Sequence, residues 1–107
     1  MINTDGYFTP PQHIGFLAKK LFEDCGEIID GSIAVLEPDG GGPEENHTHS
    51  HNHLFIVTQG EAKIIEGNHV FLLKPGEARL VKGNIPHSCW NNISTQTIMI
   101  GISVTNK

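Results

Sequence analysis

The apolar residues of this 107-residue chain come in short bursts, each closed by Gly, Pro or Asn. The bursts span residues 32–36, 54–57, 62–65, 70–73, 78–81 and 97–104. Apolar runs of this length bounded by turn formers read as strands. Turn chemistry sits where such strands need it: Gln59-Gly60, Glu66-Gly67-Asn68, Lys74-Pro75-Gly76 and Lys82-Gly83-Asn84. Strands joined by tight turns predict an all-β sandwich or barrel. Asp39-Gly40-Gly41-Gly42-Pro43 reads as a long loop before the next segment. One stretch breaks the pattern: Ile14, Leu17, Ala18, Leu21, Phe22 and Cys25 recur at helical spacing, so periodicity predicts a short N-terminal helical segment over residues 14–25.

Composition narrows the class. Hydrophobic content of 37% with 12 Gly and 6 Pro suits a turn-rich fold better than a helical bundle or a disordered tail. The length predicts a single domain over residues 1–107. A formal charge of -5 without any Lys/Arg run argues against a nucleic-acid partner. No apolar run approaches membrane-spanning length, which argues against a membrane partner, and the opening residues lack the basic and apolar regions of a signal peptide. Cys25 and Cys89 are too few to staple a secreted scaffold. These features predict a cytoplasmic protein with reduced thiols.

The histidines supply the candidate chemistry. From His47 to His53 an imidazole stands at every second position, and a further His-bearing segment covers residues 85–91. In an extended strand, residues two apart share a face, so His47, His49, His51 and His53 are expected to project together. Neutral imidazole suits Zn, Cu, Fe, Ni and Mn, and this clustering predicts a metal site. His13 and His69 have nothing at ligand spacing and read as surface residues.

Two spaced patterns frame these histidines. The first runs Gly41, five residues, His47-Thr48-His49, three residues, His53, six residues, Gly60. The second runs Gly76, five residues, Lys82-Gly83-Asn84, two residues, His87, three residues, Asn91. Together they resemble the two motifs of the cupin superfamily, G(X)5HXH(X)3-4E(X)6G and G(X)5PXG(X)2H(X)3N, over about half of the chain. His53 stands where the family has Glu, Lys82 where it has Pro and Asn84 where it has Gly. A surface tract that binds metal adventitiously, as tags do, does not account for His87 and Asn91 at the second spacing.

The resemblance implies a cupin-type double-stranded β-helix, or jelly-roll, barrel, with strand character near residues 16–24 in place of the helical stripe. It implies one divalent transition metal ion, Fe, Mn, Ni, Cu or Zn, held by His47, His49, His53 and His87, as in four-histidine variants of small cupins. It also points to a homodimer, as does the apolar face that Ile98, Ile100 and Ile102 or Met99 must present. With Glu replaced by His53, the charge of the ion has no compensating ligand, so a small anionic ligand or substrate is expected.

Other positions follow from strand parity. Cys89 and Asn91 share parity with His87, and Phe55 and Val57 share it with His53, so all are expected to face inward. Phe55, Cys89 and Asn91 are therefore substrate-contact candidates; a small buried hydrophobe and a turn former are the bland alternatives for Cys89 and Asn91. Trp90 is expected to face outward. His51 is a candidate for proton transfer, with a pocket-rim position as the alternative. Two functions compete. One is a divalent-metal-dependent oxidoreductase, dioxygenase-like, acting on a small anionic or enolisable compound; the other is a non-catalytic metal- and small-molecule-binding or sensing barrel.

Overall fold

The computed structural model describes residues 4–106, with the side chains of Glu45, Asn46 and His47 outside the description. Among the described residues the chain forms eight strands and no helix: β1 (Ile28–Leu36), β2 (Gly41–His47), β3 (Asn52–Gln59), β4 (Ala62–Glu66), β5 (His69–Leu73), β6 (Ala78–Val81), β7 (His87–Asn91) and β8 (Thr97–Val104). They build two four-stranded antiparallel sheets, ordered β1-β8-β3-β6 and β2-β7-β4-β5. This is the jelly-roll arrangement expected from the motifs.

The core lies between the sheets. Leu36, Val57, Ala62, Ile64, Leu73, Val81 and Met99 form one buried cluster. Strand alternation explains the choice: in β4 Ala62, Ile64 and Glu66 are buried while Lys63 and Ile65 are only partly covered. In β8 Met99 is buried, while Ile98, Ile100 and Ile102 are half-buried on the opposite face beside the exposed Ile33 and Val35 of β1. Of the two faces expected to carry exposed apolar side chains, the isoleucine face is the one that does.

Six strands fall on the expected apolar bursts, and two do not. β2 holds no apolar side chain except Pro43, and Asp39 to Pro43 is not wholly loop as expected. Its extended shape comes from the backbone ladder with β7, where Gly41 faces Trp90, Gly42 faces Cys89 and His47 faces His87. Gly41 is required there: its φ is 149°, and a Cβ would collide with the Cys89 carbonyl and Trp90.

The N-terminal expectations are corrected. Residues 14–25 form neither a helix nor a strand, and their one ladder contact is a bridge between Phe8 and Ala18. An amphipathic helix draws most of its stability from burying its stripe. Here Ile14 is 97% exposed, Leu17 and Phe22 are also exposed, and Asp24 has a positive φ of 46°. No helix is long and apolar enough to cross a membrane among the described residues.

Candidate metal centre

The histidine heptapeptide is not one strand. β2 ends at His47 in one sheet, β3 begins at Asn52 in the other, and residues 48–51 cross between them. The expectation of a single shared strand face is therefore wrong, because a sheet-to-sheet crossover has no two-residue alternation. Convergence arises from the crossover: His49 sits on it, His53 enters from β3, and His87 arrives as the first residue of β7. The side chain of His47, expected as a fourth ligand, lies outside the described residues.

One ring nitrogen from each of His49, His53 and His87 lies within 4.8 Å of the others. The His49 and His53 Nε2 atoms are 3.0 Å apart. Two cis ligands at ~2.1 Å from a shared ion would stand about 3.0 Å apart, so the spacing fits an octahedral pair. Backbone carbonyls hold two of the rings. His49 Nδ1 lies 2.9 Å from the His51 carbonyl and His87 Nδ1 lies 2.8 Å from the Ile85 carbonyl. A carbonyl only accepts, so each Nδ1 donates, which leaves the Nε2 of each neutral ring as an acceptor. Carbonyl-oriented imidazoles of this kind are the usual outer support of a metal ligand. The donor set therefore fits a divalent transition ion.

Protonation is disfavoured at His53. His53 is pushed down to about 4, first by burial and then by the neighbouring His49, His51 and His87, with Asp30 opposing. A ring that resists protonation keeps its lone pair available at neutral pH.

His51 does not join the convergent group. Its ring stacks on His49 at 4.0 Å with the planes 4° apart, and lies 5.0 Å from His53. Phe55 stacks against His53 at 5.4 Å. Phe55 and Cys89 line a cavity of about 310 Å³ that reaches His53 and His87 and continues along Ala34, Leu36, Pro43 and Met99. Cys89 is half-buried with its Sγ 3.4 Å from Met99 Sδ, and burial pushes its thiol up to about 11. Asn91 is placed elsewhere. Its amide donates to the Leu36 and Thr95 carbonyls, and its Oδ1 accepts from the Ile93 amide and Thr97 hydroxyl. It thus ties down the β7–β8 turn and does not line the cavity. Trp90, expected outside, is half-buried and donates to the Ser88 hydroxyl. His13 and His69 are exposed, as expected.

Two residues that shape the site carried no ligand signal in the sequence. Asn52 is 1% exposed and accepts from the Gly83 amide at 2.9 Å, while the Gly83 carbonyl accepts from the His49 amide at 3.0 Å. The turn before His87 is thereby fastened to the crossover that carries His49. A Cβ on Gly83 would run into the His51 and His49 carbonyls, so only glycine allows the approach. The Lys82-Gly83-Asn84 turn marked this position, but its partner was hidden because Asn52 sits between two histidines and looked like a spacer.

Comparison with known proteins agrees with this architecture. The cupin domain model matches residues 32–104. No curated protein sequence matches the chain. Among solved structures, a predicted oxalate decarboxylase from Thermotoga maritima superposes with a TM-score of 0.65 at 15% identity, covering 74% of this chain and 68% of that one. An RmlC-like cupin from Shewanella frigidimarina gives 0.62 at 18% identity, covering 76% and 68%. An oxalate oxidase in complex with the substrate analogue glycolate gives 0.62 at 16% identity, covering 72% of this chain but only 42% of that one. These identities speak for the fold. The family model spans well over half of the sequence, and the chain belongs to the cupin domain family.

Proposed function

We propose that this protein is a divalent-metal-dependent oxidoreductase, dioxygenase-like in its use of the site, acting on a small anionic or enolisable organic compound. The observation that carries the reading is the convergence of His49, His53 and His87, two of which, His53 and His87, line a cavity that can hold a small molecule. His47 is the fourth ligand in this reading, on the strength of the motif spacing. The ion, Fe, Mn, Ni, Cu or Zn, would supply Lewis acidity toward bound oxygen atoms and, for a redox-active metal, electron transfer.

The chain's own residues do the rest. Carbonyls of His51 and Ile85 keep the His49 and His87 rings oriented, and Phe55 packs His53 in place. Phe55 and Cys89 contact the substrate, and His51, stacked on His49, handles the proton. Asn91, given its turn hydrogen bonds, serves the site by fixing the end of β7. Solved relatives named as oxalate decarboxylase and oxalate oxidase support metal-dependent chemistry on small oxygen compounds as a use of this scaffold. Two chains pairing through the Ile33, Val35 and Ile100 face, and a cytoplasmic setting consistent with free Cys25 and Cys89, complete the reading.

The test is elemental mass spectrometry on untagged protein together with an oxygen-electrode trace on oxo-acids, diketones and catechols. Near-stoichiometric Fe, Mn, Ni or Cu with oxygen uptake is the expected result. Zinc, or no metal, without uptake would move the assignment to a non-catalytic binding barrel.

A further inference from the structure

The cavity beside the histidines has one chemical character along most of its wall. Ala34, Leu36, Pro43, Phe55 and Met99 present hydrocarbon and thioether surface. The polar side chains of the lining are His53 and His87, with Ser32 contributing a hydroxyl and Cys89 a thiol. Among the described residues, neither lysine nor arginine lines it. The side chains that follow Glu44 in β2 and are not described, Glu45, Asn46 and His47, include neither type.

The chain has no spare guanidinium to offer. Arg79 is its only arginine, and that group is engaged by Glu66 at 2.8 Å and lies 3.4 Å over the Phe71 ring. Lys82 is exposed and Lys63 belongs to the opposite face of β4 from the core residues. A polycarboxylate held at the histidines would bury carboxylate oxygens against methyl groups and an aromatic ring. Carboxylate oxygens buried without donors are strongly disfavoured.

We infer that the cavity selects molecules whose oxygen donors are confined to one edge and whose remainder is hydrocarbon, such as a β-diketone with an alkyl or aryl body, over compact di- and tricarboxylates. The inference rests on the metal reading proposed above and narrows its substrate to the neutral, enolisable class. The oxygen edge meets the histidine end, and the body lies along Ala34, Leu36, Phe55 and Met99. A cavity of about 310 Å³ sits at the small end of ligand sites. Each methylene that the wall covers raises affinity about fourfold.

Calorimetry on the zinc-loaded protein tests the preference with pentane-2,4-dione, 1-phenylbutane-1,3-dione and oxalate as probes. The phenyl diketone is expected to bind at least about tenfold tighter than oxalate, and tighter than pentanedione. Ala34→Phe, which fills the apolar end without touching a histidine, is expected to keep one metal per chain while weakening the phenyl diketone about tenfold. Oxalate binding as tightly as the diketones overturns the inference, in wild type alone if the variant does not fold. So does an unchanged phenyl-diketone affinity in folded Ala34→Phe. Methyl NMR of Ala34 and Met99 in the chelator-treated protein separates the two readings. Methyl shifts on adding the phenyl diketone, without stoichiometric metal uptake, would support the apolar site while the metal reading fails; stoichiometric metal with no diketone preference would do the reverse.

Discussion

Two polar clusters stand side by side in the barrel, and they are built on opposite principles. Glu66, on β4, faces His87 across the β4–β7 ladder, and Arg79, on β6, faces Phe55 across the β6–β3 ladder. Between them Arg79 donates to Glu66 Oε1 through Nη2 at 2.8 Å and Nε at 3.2 Å, and the Lys82 amide approaches Oε2 at 3.3 Å. This cluster joins opposite charges and links the two sheets. The neighbouring histidine corner gathers like groups, and partial burial first, then repulsion from the other rings, depresses His53. A cluster of complementary charges is complete within the chain, whereas one of convergent lone pairs gains most from a cation brought from outside. The first ties one sheet to the other, and the second is the place where the proposed metal would change the energetics.

The difference is sharpest when a ligand is removed. His49→Ala or His87→Ala should abolish stoichiometric metal, lowering affinity by about 100-fold or more, since even loss of an outer support costs ~10–100-fold. His13→Ala, on an exposed segment, should leave metal content unchanged. Elemental analysis of the three purified variants decides it, and equal metal in all of them would remove the site assignment.

Next in size is a change that touches no ligand. Gly83→Ala would press a methyl against the His49 and His51 carbonyls and push the crossover away from the turn that leads to His87. Metal affinity should fall about 10–100-fold, as for loss of a ligand's supporting contacts. A competitive chelator titration reads this directly; wild-type affinity in a folded variant would show that the close approach does not position the ligands.

Breaking the other cluster should have the opposite profile. Arg79→Met leaves the Glu66 carboxylate, whose side chain is 9% exposed, without its countercharge. Breaking a fully buried pair costs ~3–5 kcal/mol. Arg79 is itself 34% exposed, so solvent screening should reduce the cost to about 1–3 kcal/mol. Urea unfolding of chelator-treated protein measures it, and adding Glu66→Gln should recover part of the loss. Metal stoichiometry should stay at the wild-type value. A variant that loses metal but not stability would reverse the roles assigned to the two clusters.

How visible these regions were in the sequence follows from what builds them. β4, β5, β6 and β8 were legible because each is a short apolar run bounded by turn formers. β2 was not, since GGPEENH is held by backbone pairing with β7 and nothing in its side chains announces a strand. The stripe at residues 14–25 misled because periodicity records amphipathicity, not the presence of a surface on which to bury it. Within the site, residue type and motif spacing picked out His49, His53 and His87. Treating the heptapeptide as one strand put His51 among the ligands' neighbours on one face, when it stacks on His49 from the crossover. Asn52 and Gly83 act through a hydrogen bond and a close approach between segments 31 residues apart, which no local pattern encodes.

The remaining prediction concerns protons, and it separates the clusters without removing either. In the metal-free protein His53 titrates near 4, against ~6.5 for an unperturbed histidine in the unfolded chain. Between these values the unfolded state binds the extra proton and the folded state does not. Stability contributed through His53 therefore rises with pH across that window, is complete above about 6.5, and is lost as the pH falls toward 4. Thermal unfolding of chelator-treated protein from pH 7 to pH 4 should show this fall, and His53→Gln, which carries no titrating ring, should flatten it. Arg79→Met should start from a lower stability but keep the slope that His53 contributes. If the slope instead survives His53→Gln and disappears with Arg79→Met, the acid sensitivity belongs to the ion pair, and the histidine corner is not the region of the barrel that resists protons.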